Sequence, residues 1–212
     1  MSVDGGKPSG RPRDCMRQFL VVGHEAPTDP AFSLEDLPGA GRLDLLARSV
    51  TSAFLLSHGI REATRCRLVL ADEFTVRFEG RELRNLRPDE RSTAALVRTA
   101  LEARENAVGS IPAEAAPGVY LHRQGVAGAV EAAADEGTLL QLHEDGEPAN
   151  ELQAPADPVF VLSDHRDFRE SEAELLAEHG ARRIRLGPEP LHADQAVTVA
   201  HNWLDTDGWT AF

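Results

Sequence analysis

Apolar residues in this chain fall into short runs separated by Gly, Pro and charged stretches, and the period of the runs changes along the sequence. Residues 19–22, Phe-Leu-Val-Val, read as a strand buried on both faces, and residues 66–71 read as a second. Between them, residues 26–41 are rich in Pro, Asp and Gly and predict a loop of a length that is uncommon unless it serves a function. Leu43, Leu46, Val50 and Phe54 then recur at helical spacing, which predicts an amphipathic helix that Gly59 closes. Residues 74–78 and 81–83 flank Glu79-Gly80 like the arms of a hairpin. Ala95, Leu96, Thr99, Ala100 and Ala103 mark a helix over 91–107, with Asp89 or Ser92 as its cap.

The second half alternates more regularly. It predicts a strand over 118–122, an alanine-rich helix over 126–134, a strand over 138–143 and a turn-rich linker over 144–158. A strand, helix, strand, helix unit follows, with strands at 159–162 and 184–186. The final helix puts Ala193, Ala196, Val197, Ala200, Trp203 and Leu204 on one broad face. Such alternation implies an α/β fold with a largely parallel sheet and helices on both faces. Residues 1–15 hold Gly, Pro and Arg with almost nothing to bury, so they read as a disordered extension, leaving 16–212 as a single domain.

Composition adds an unusual charge balance. The chain carries 35 acidic against 22 basic residues, a net charge of −13, and Lys7 is its one lysine. An acidic, lysine-poor surface suits a cytoplasm of very high salt, where fields are screened within about 3 Å at molar ionic strength. Cys15 and Cys66 make no disulfide framework, which fits a reducing compartment. No apolar run reaches the roughly 18 residues of a membrane helix, and residues 1–15 lack the apolar centre of a signal peptide, so the expected location is cytoplasmic.

Common nucleotide and catalytic signatures are missing. The first strand ends in Gly23-His24-Glu25 rather than a G-x-G-x-x-G turn, and there is neither a P-loop nor a G-x-S-x-G elbow. Cys66 sits within an apolar strand, where a structural thiol is the simpler reading. The histidines show no metal-ligand spacing, so no metal is expected. The C-terminal unit differs, because strands ending in Leu162-Ser163-Asp164 and Leu186-Gly187-Pro188 present loops where open α/β sheets bind ligands. Gly187 permits close backbone approach and Pro188 stiffens the exit, although a plain turn explains Leu-Gly-Pro equally well. Five arginines lie between Arg77 and Arg91, a density suited to phosphates, yet Glu79, Glu82, Asp89 and Glu90 nearly balance them as a solvated face would.

Three separated segments resemble one known family. Residues 17–24 (Arg-Gln-Phe-Leu-Val-Val-Gly-His), residues 72–92 and the C-terminal unit with Leu191-His192-Ala193-Asp194-Gln195-Ala196 are similar to the archaeal tRNA pseudouridine-54 N1-methyltransferases, over about residues 16–205. These belong to the SPOUT class of knotted S-adenosylmethionine enzymes. The resemblance implies a SPOUT-type sheet with a deep trefoil knot near the C-terminus, a homodimer joined partly through the last helix, and S-adenosylmethionine as cofactor. It further implies that Leu162 and Gly187 meet the adenosyl group mainly through backbone, with Leu191 and Ala196 lining the adenine pocket; some relatives carry Cys at the place of Ala196. The implied reaction is methylation of N1 of pseudouridine in the T-loop of tRNA.

That reaction needs the sulfonium methyl in line with the ring nitrogen, loss of the N1 proton and exclusion of other nucleophiles. The cofactor is already activated, so positioning carries most of the catalysis, and near-attack placement supplies roughly 7–11 kcal/mol. Asp89 and Arg91 are the candidates for accepting the proton and stabilising the ring anion, with Arg77 and Arg84 positioning the RNA. A ribosomal-RNA pseudouridine methyltransferase and a catalytically silent RNA-binding or assembly protein of the same fold are the alternatives.

Overall fold

A computed structural model describes residues 15–109 and 111–211, so all of the expected disordered extension except Cys15 lies outside the described residues. Strand β1 (Arg17–Gly23) is followed by the long loop, helix α1 (Leu43–Phe54) and a small hairpin of β2 (Leu55–Leu56) and β3 (Gly59–Ile60). Next come β4 (Thr64–Leu70), β5 (Phe74–Glu79), α2 (Glu90–Glu102), β6 (Ala113–Ala116), β7 (Val119–His122) and α3 (Val126–Glu136). The chain ends with β8 (Thr138–Pro148), β9 (Pro158–Ser163), α4 (Glu170–Glu178), β10 (Arg182–Arg185) and α5 (Ala193–Asp205).

Eight strands form one mixed sheet in the order β10-β8-β9-β1-β4-β5-β7-β6. The run from β10 to β4 is parallel throughout, and β5, β7 and β6 add an antiparallel flank. Strand alternation sorts the core into two layers. Phe19, Val21, Leu68, Phe160 and Leu162 face α1, α2 and α5, whereas Leu20, Val22, Val69, Val159 and Val161 face α3 and α4. On the first side Phe160 stacks on Phe19 at 5.4 Å and meets the edge of Trp203 at 6.2 Å, and each such side chain buried from water contributes about 2 kcal/mol.

Several local expectations are corrected. Gly59 does not close α1, which stops at Phe54 because Leu55 turns extended and the chain enters the β2–β3 hairpin. The hairpin at Glu79-Gly80 is absent: β5 pairs with β4 through a turn at 71–73, where Ala71 and Asp72 adopt positive φ, and with β7 on its other side. Residues 81–83 form a turn instead, with the Leu83 N–H bonded to the Glu79 carbonyl. Gly80 packs so closely on residues 61–64 that a Cβ would lie 2.4 Å from the Arg61 carbonyl. Asp89, rather than Ser92, caps α2, accepting the Ser92 N–H at 2.7 Å, and the helix ends at Glu102 instead of reaching residue 107. Strand β8 runs through residues 144–148, which read as linker, because it pairs with β10 over that stretch across a register shift.

Candidate active site

All five parallel strands deliver their C-terminal ends to one edge of the sheet, the edge at which open α/β folds hold ligands. There the loops after β9 and β10 and the start of α5 enclose a cleft of about 370 Å³, within the size range of small-molecule sites. Leu162, Gly187, Leu191 and Ala196 all line it. Leu162 and Ala196 lie in its buried floor together with Leu186 and Ala193, while Leu191 is 39% exposed at the rim. A Cβ built on Gly187 meets nothing within 4 Å, so the backbone there borders open space that a bound group can use.

One wall of the cleft is the loop after β9, residues 163–168. It is pinned by Asp164, whose side chain is 1% exposed: its carboxylate accepts the His24 N–H at 2.8 Å and the Arg166 N–H at 2.9 Å, and faces His24 Nδ1 at 3.2 Å. His24 Nε2 lies 2.9 Å from Glu172 in the first turn of α4. Arg166 pairs with Glu25 above this group. These contacts hold the carboxyl ends of β1 and β9 and the start of α4 together. The sequence reading met His24 within the segment of residues 17–24 and Asp164 at the end of a strand but gave neither a role, and it passed over Glu172, since no spacing joins the three.

The arginine-rich segment divides between two places. Asp89 and Arg91 sit exposed at the start of α2, Arg91 pairs with Glu35 of the long loop at 2.5 Å, and the exposed Arg84 donates to the carbonyls of Arg81 and Leu83. The bond from Ser92 holds the Asp89 carboxyl below its ordinary range. Arg48 ties this region to the cleft, reaching Glu90 at 3.1 Å and Asp194, next to the cleft residue Ala193, at 3.5 Å. Arg48 and Arg42 also share the buried Asp44; burial alone would raise that carboxyl, and the two guanidinium groups outweigh it. Neither Arg42 nor Arg48 was singled out in the sequence, because an arginine at the start or on the face of a helix looks like solvation.

Arg77 lies elsewhere. It projects from mid-β5 on the α3 side of the sheet, pairs with Glu79 at 3.0 Å and stacks its guanidinium 4.9 Å from the Tyr120 ring centre. Its neighbour Arg67 is 2% exposed and donates to Gln18 at 2.6 Å and Glu136 at 2.5 Å. The structure therefore links the start of α2, which carries Asp89 and Arg91, to the start of α5 beside the cleft through the pairs Glu90–Arg48 and Arg48–Asp194, and leaves Arg77 on the opposite face.

Burial pushes the Cys66 thiol up to about 12, consistent with an inert core residue. Among the described residues, no group of three or more His, Cys, Asp or Glu is arranged to hold a metal ion, and no helix is long and apolar enough to cross a membrane.

Residues 16–209 match the model of a family of S-adenosylmethionine-dependent RNA methyltransferases. The chain belongs to that family. This RNA methyltransferase is similar to proteins named tRNA (pseudouridine(54)-N(1))-methyltransferase from Natronomonas pharaonis and Haloferax volcanii, each 60% identical over 198 residues that cover 93% of this chain and all of the relative. A protein of the same name from Methanocella arvoryzae is 41% identical over 91% of this chain and 99% of its own length. In fold, the methyltransferase resembles the crystal structure of Archaeoglobus fulgidus Nep1 bound to S-adenosylhomocysteine, with a TM-score of 0.62 at 12% identity over 88% of this chain and 96% of that one. The cleft has the character such a cofactor demands: an apolar floor for a flat base, and at Gly187 an open backbone surface against which polar ligand atoms can lie.

Proposed function

We propose that this chain transfers a methyl group from S-adenosylmethionine to N1 of pseudouridine 54 in the T-loop of tRNA. The single observation that carries the reading is the convergence of Leu162, Gly187, Leu191 and Ala196 on one cleft at the carboxyl edge of the sheet, in a chain alike along nearly its full length to proteins bearing that name. In this reading residues 16–212 form one domain with a deep trefoil knot in its last third, the molecule acts as a homodimer, and its home is the cytoplasm.

When bound, the cofactor supplies a methyl group on a sulfonium centre, already activated for attack. The protein's part is to orient, to dry and to move one proton. Leu162 and Gly187 would hold the adenosyl group mainly through backbone, and Ala196 from the buried floor and Leu191 from the rim would line the adenine pocket. Asp89, held as a carboxylate by the cap bond from Ser92, would take the N1 proton. Arg91 balances negative charge on the ring, and the exposed Arg84, seven residues before it, holds RNA phosphate. A substrate-positioning role for Arg77 requires the RNA to reach the α3 side of the sheet as well.

The test is mass spectrometry of nucleosides after incubating the protein and cofactor with a tRNA carrying pseudouridine 54. The expected product is 1-methylpseudouridine, absent when uridine replaces pseudouridine at that position. Methylation confined to a ribosomal RNA fragment would move the assignment to that substrate, and no methylation of either would leave a silent RNA-binding protein.

A further inference from the structure

His24 grips the loop walling the cleft at Asp164 and the start of α4 behind it at Glu172. Its ring is 2% exposed and is flanked by two carboxylates: Nδ1 lies 3.2 Å from Asp164 and Nε2 lies 2.9 Å from Glu172. Both carboxylates have further partners, although Glu172 takes its contacts on Oε2 and its Oε1 is buried without a hydrogen-bond partner. Asp164 also receives the backbone N–H groups of His24 and Arg166, and Glu172 receives the Arg169 N–H at 2.8 Å, which closes the first turn of α4. Remaining charges around the trio are directed outward or to its rim: His165 stands 3.6 Å from Asp164 and 3.7 Å from Glu25, Arg166 pairs with Glu25, and Arg169 lies 3.8 Å from Glu172.

The two grips have different consequences. Asp164 is part of the cleft lining, and its carboxylate fixes the turn at 163–166 that carries Ser163, His165 and Arg166 along the same wall. Glu172 lies behind the wall and anchors α4. A ligand that fills the cleft therefore meets a surface whose shape depends on the His24–Asp164 contact, and only indirectly on the contact to Glu172. Groups behind a binding wall act by fixing its geometry before the ligand arrives, which lowers the ordering cost of binding.

We infer that His24 is a positioning residue for the methyl donor, acting through Asp164 to hold the loop of residues 163–168 in its binding shape. This rests on reading the cleft as the S-adenosylmethionine site. It assigns His24 no contact with the RNA and no part in the proton transfer, so it affects capture of the cofactor and leaves the chemical step alone.

The two ring nitrogens allow a test that a merely space-filling residue would not answer. In His24→Asn the amide nitrogen falls near the place of Nδ1 and keeps the bond to Asp164, whereas in His24→Gln it falls near the place of Nε2 and keeps the bond to Glu172. Full-length protein is titrated with S-adenosylhomocysteine by calorimetry, and methyl transfer to tRNA is followed at varied cofactor concentration. His24→Ala and His24→Gln are expected to weaken cofactor binding and raise its KM about tenfold with kcat little changed, while His24→Asn stays within about threefold of the parent. Should His24→Ala not yield folded protein, the contrast between the Asn and Gln variants decides alone. Equal behaviour of the Asn and Gln variants, or a fall in kcat in place of a rise in KM, overturns the inference. Failure of the unaltered protein to bind S-adenosylhomocysteine at all overturns instead the reading of the cleft.

Discussion

At the parallel end of the sheet, β8, β9 and β10 bring their carboxyl ends to one edge and leave a cleft between them. At the antiparallel end, β4, β5 and β7 run in alternating senses, and their polar side chains on the α3 face close on one another: Arg65 with Glu79 and Glu136, Arg67 with Glu136 and Gln18, Arg77 with Glu79 and Tyr120, Tyr120 with Glu82. Strand direction is what separates the two. Parallel strands must be joined by crossovers, so every loop that leaves their carboxyl ends meets at the same edge, and the space among loops is available to a ligand. Antiparallel neighbours share their ends between both edges, and charged residues along them pair across the ladder. The same residue type, arginine, thus borders an open cleft at one end, as Arg166 and Arg185, and closes a scaffold at the other.

The largest effect expected from this contrast comes from filling the cleft. Gly187→Leu adds a side chain where the backbone borders open space, so the fold is undisturbed while the ligand's place is taken. Cofactor affinity is expected to fall roughly thousandfold, read by calorimetry, with an unchanged thermal midpoint. A Gly187→Leu protein that binds S-adenosylhomocysteine normally would remove the cleft from the mechanism. The opposite outcome is expected at the antiparallel end. Arg67→Met strips the buried Gln18 of its donor and Glu136 of one of its two arginines, and is expected to cost about 3 kcal/mol in urea unfolding while cofactor affinity is unchanged.

Much of this division was legible in the chain, and the part that was not has a physical cause. The buried strands at 19–22 and 159–162 and the apolar face of the last helix stand out because burial on both faces, or on one helical stripe, leaves a periodic mark. Gly187, Leu162, Leu191 and Ala196 were reached through the family resemblance, and they do share one cleft. The turn at 71–73 escaped notice because Ala71 and Asp72, rather than Gly, take the positive φ values that the hairpin requires. Glu79-Gly80 drew the hairpin instead, although that glycine answers a close approach of the 61–64 backbone. The association of His24, Asp164 and Glu172 was invisible for another reason: a buried polar trio drawn from three elements has no spacing, only a geometry.

A smaller effect concerns Asp89, where cap and proposed base are one carboxylate. Asn caps helices about as well as Asp, so Asp89→Asn separates the two duties. Stability is expected to be nearly unchanged, while the single-turnover methylation rate falls about 100-fold with cofactor affinity retained. If the Asn protein reacts at the parent rate, Asp89 is a cap alone and the proton leaves by another route. Arg91→Ala in the same assay is expected to lower the rate less, because that guanidinium is 62% exposed and already shared with Glu35.

The finest distinction between the two ends is in their response to acid. Each holds a histidine that the fold keeps neutral, buried at His201 and half-buried at His122: burial, reinforced by nearby arginines, pushes His201 on α5 down to about 3 and His122 on β7 down to about 4. His201 Nε2 faces the Ala53 carbonyl of α1 at 3.0 Å and Nδ1 faces Arg17 at 3.3 Å, so the neutral ring donates from Nε2 and accepts at Nδ1, and a second proton has no acceptor. Because the folded values lie below the ordinary 6.5, the unfolded chain takes up these protons first as pH falls. Stability is therefore lost from about 6.5 downward, at a slope of up to roughly 1.4 kcal/mol per pH unit for each proton, until about 3 for His201 and about 4 for His122. Measured between about pH 6 and 5, where most carboxylates remain ionised, His201→Gln is expected to flatten the fall by about 1 kcal/mol per pH unit, since Gln keeps a donor for the Ala53 carbonyl and takes up no proton. The slopes of His122→Gln and His201→Gln should part only at lower pH, where His201 continues to resist protonation after His122 has yielded. An unaltered slope in the His201 variant would mean that the ring is charged in the fold, and that a charged N–H rather than a neutral one meets the Ala53 carbonyl across the α1–α5 contact.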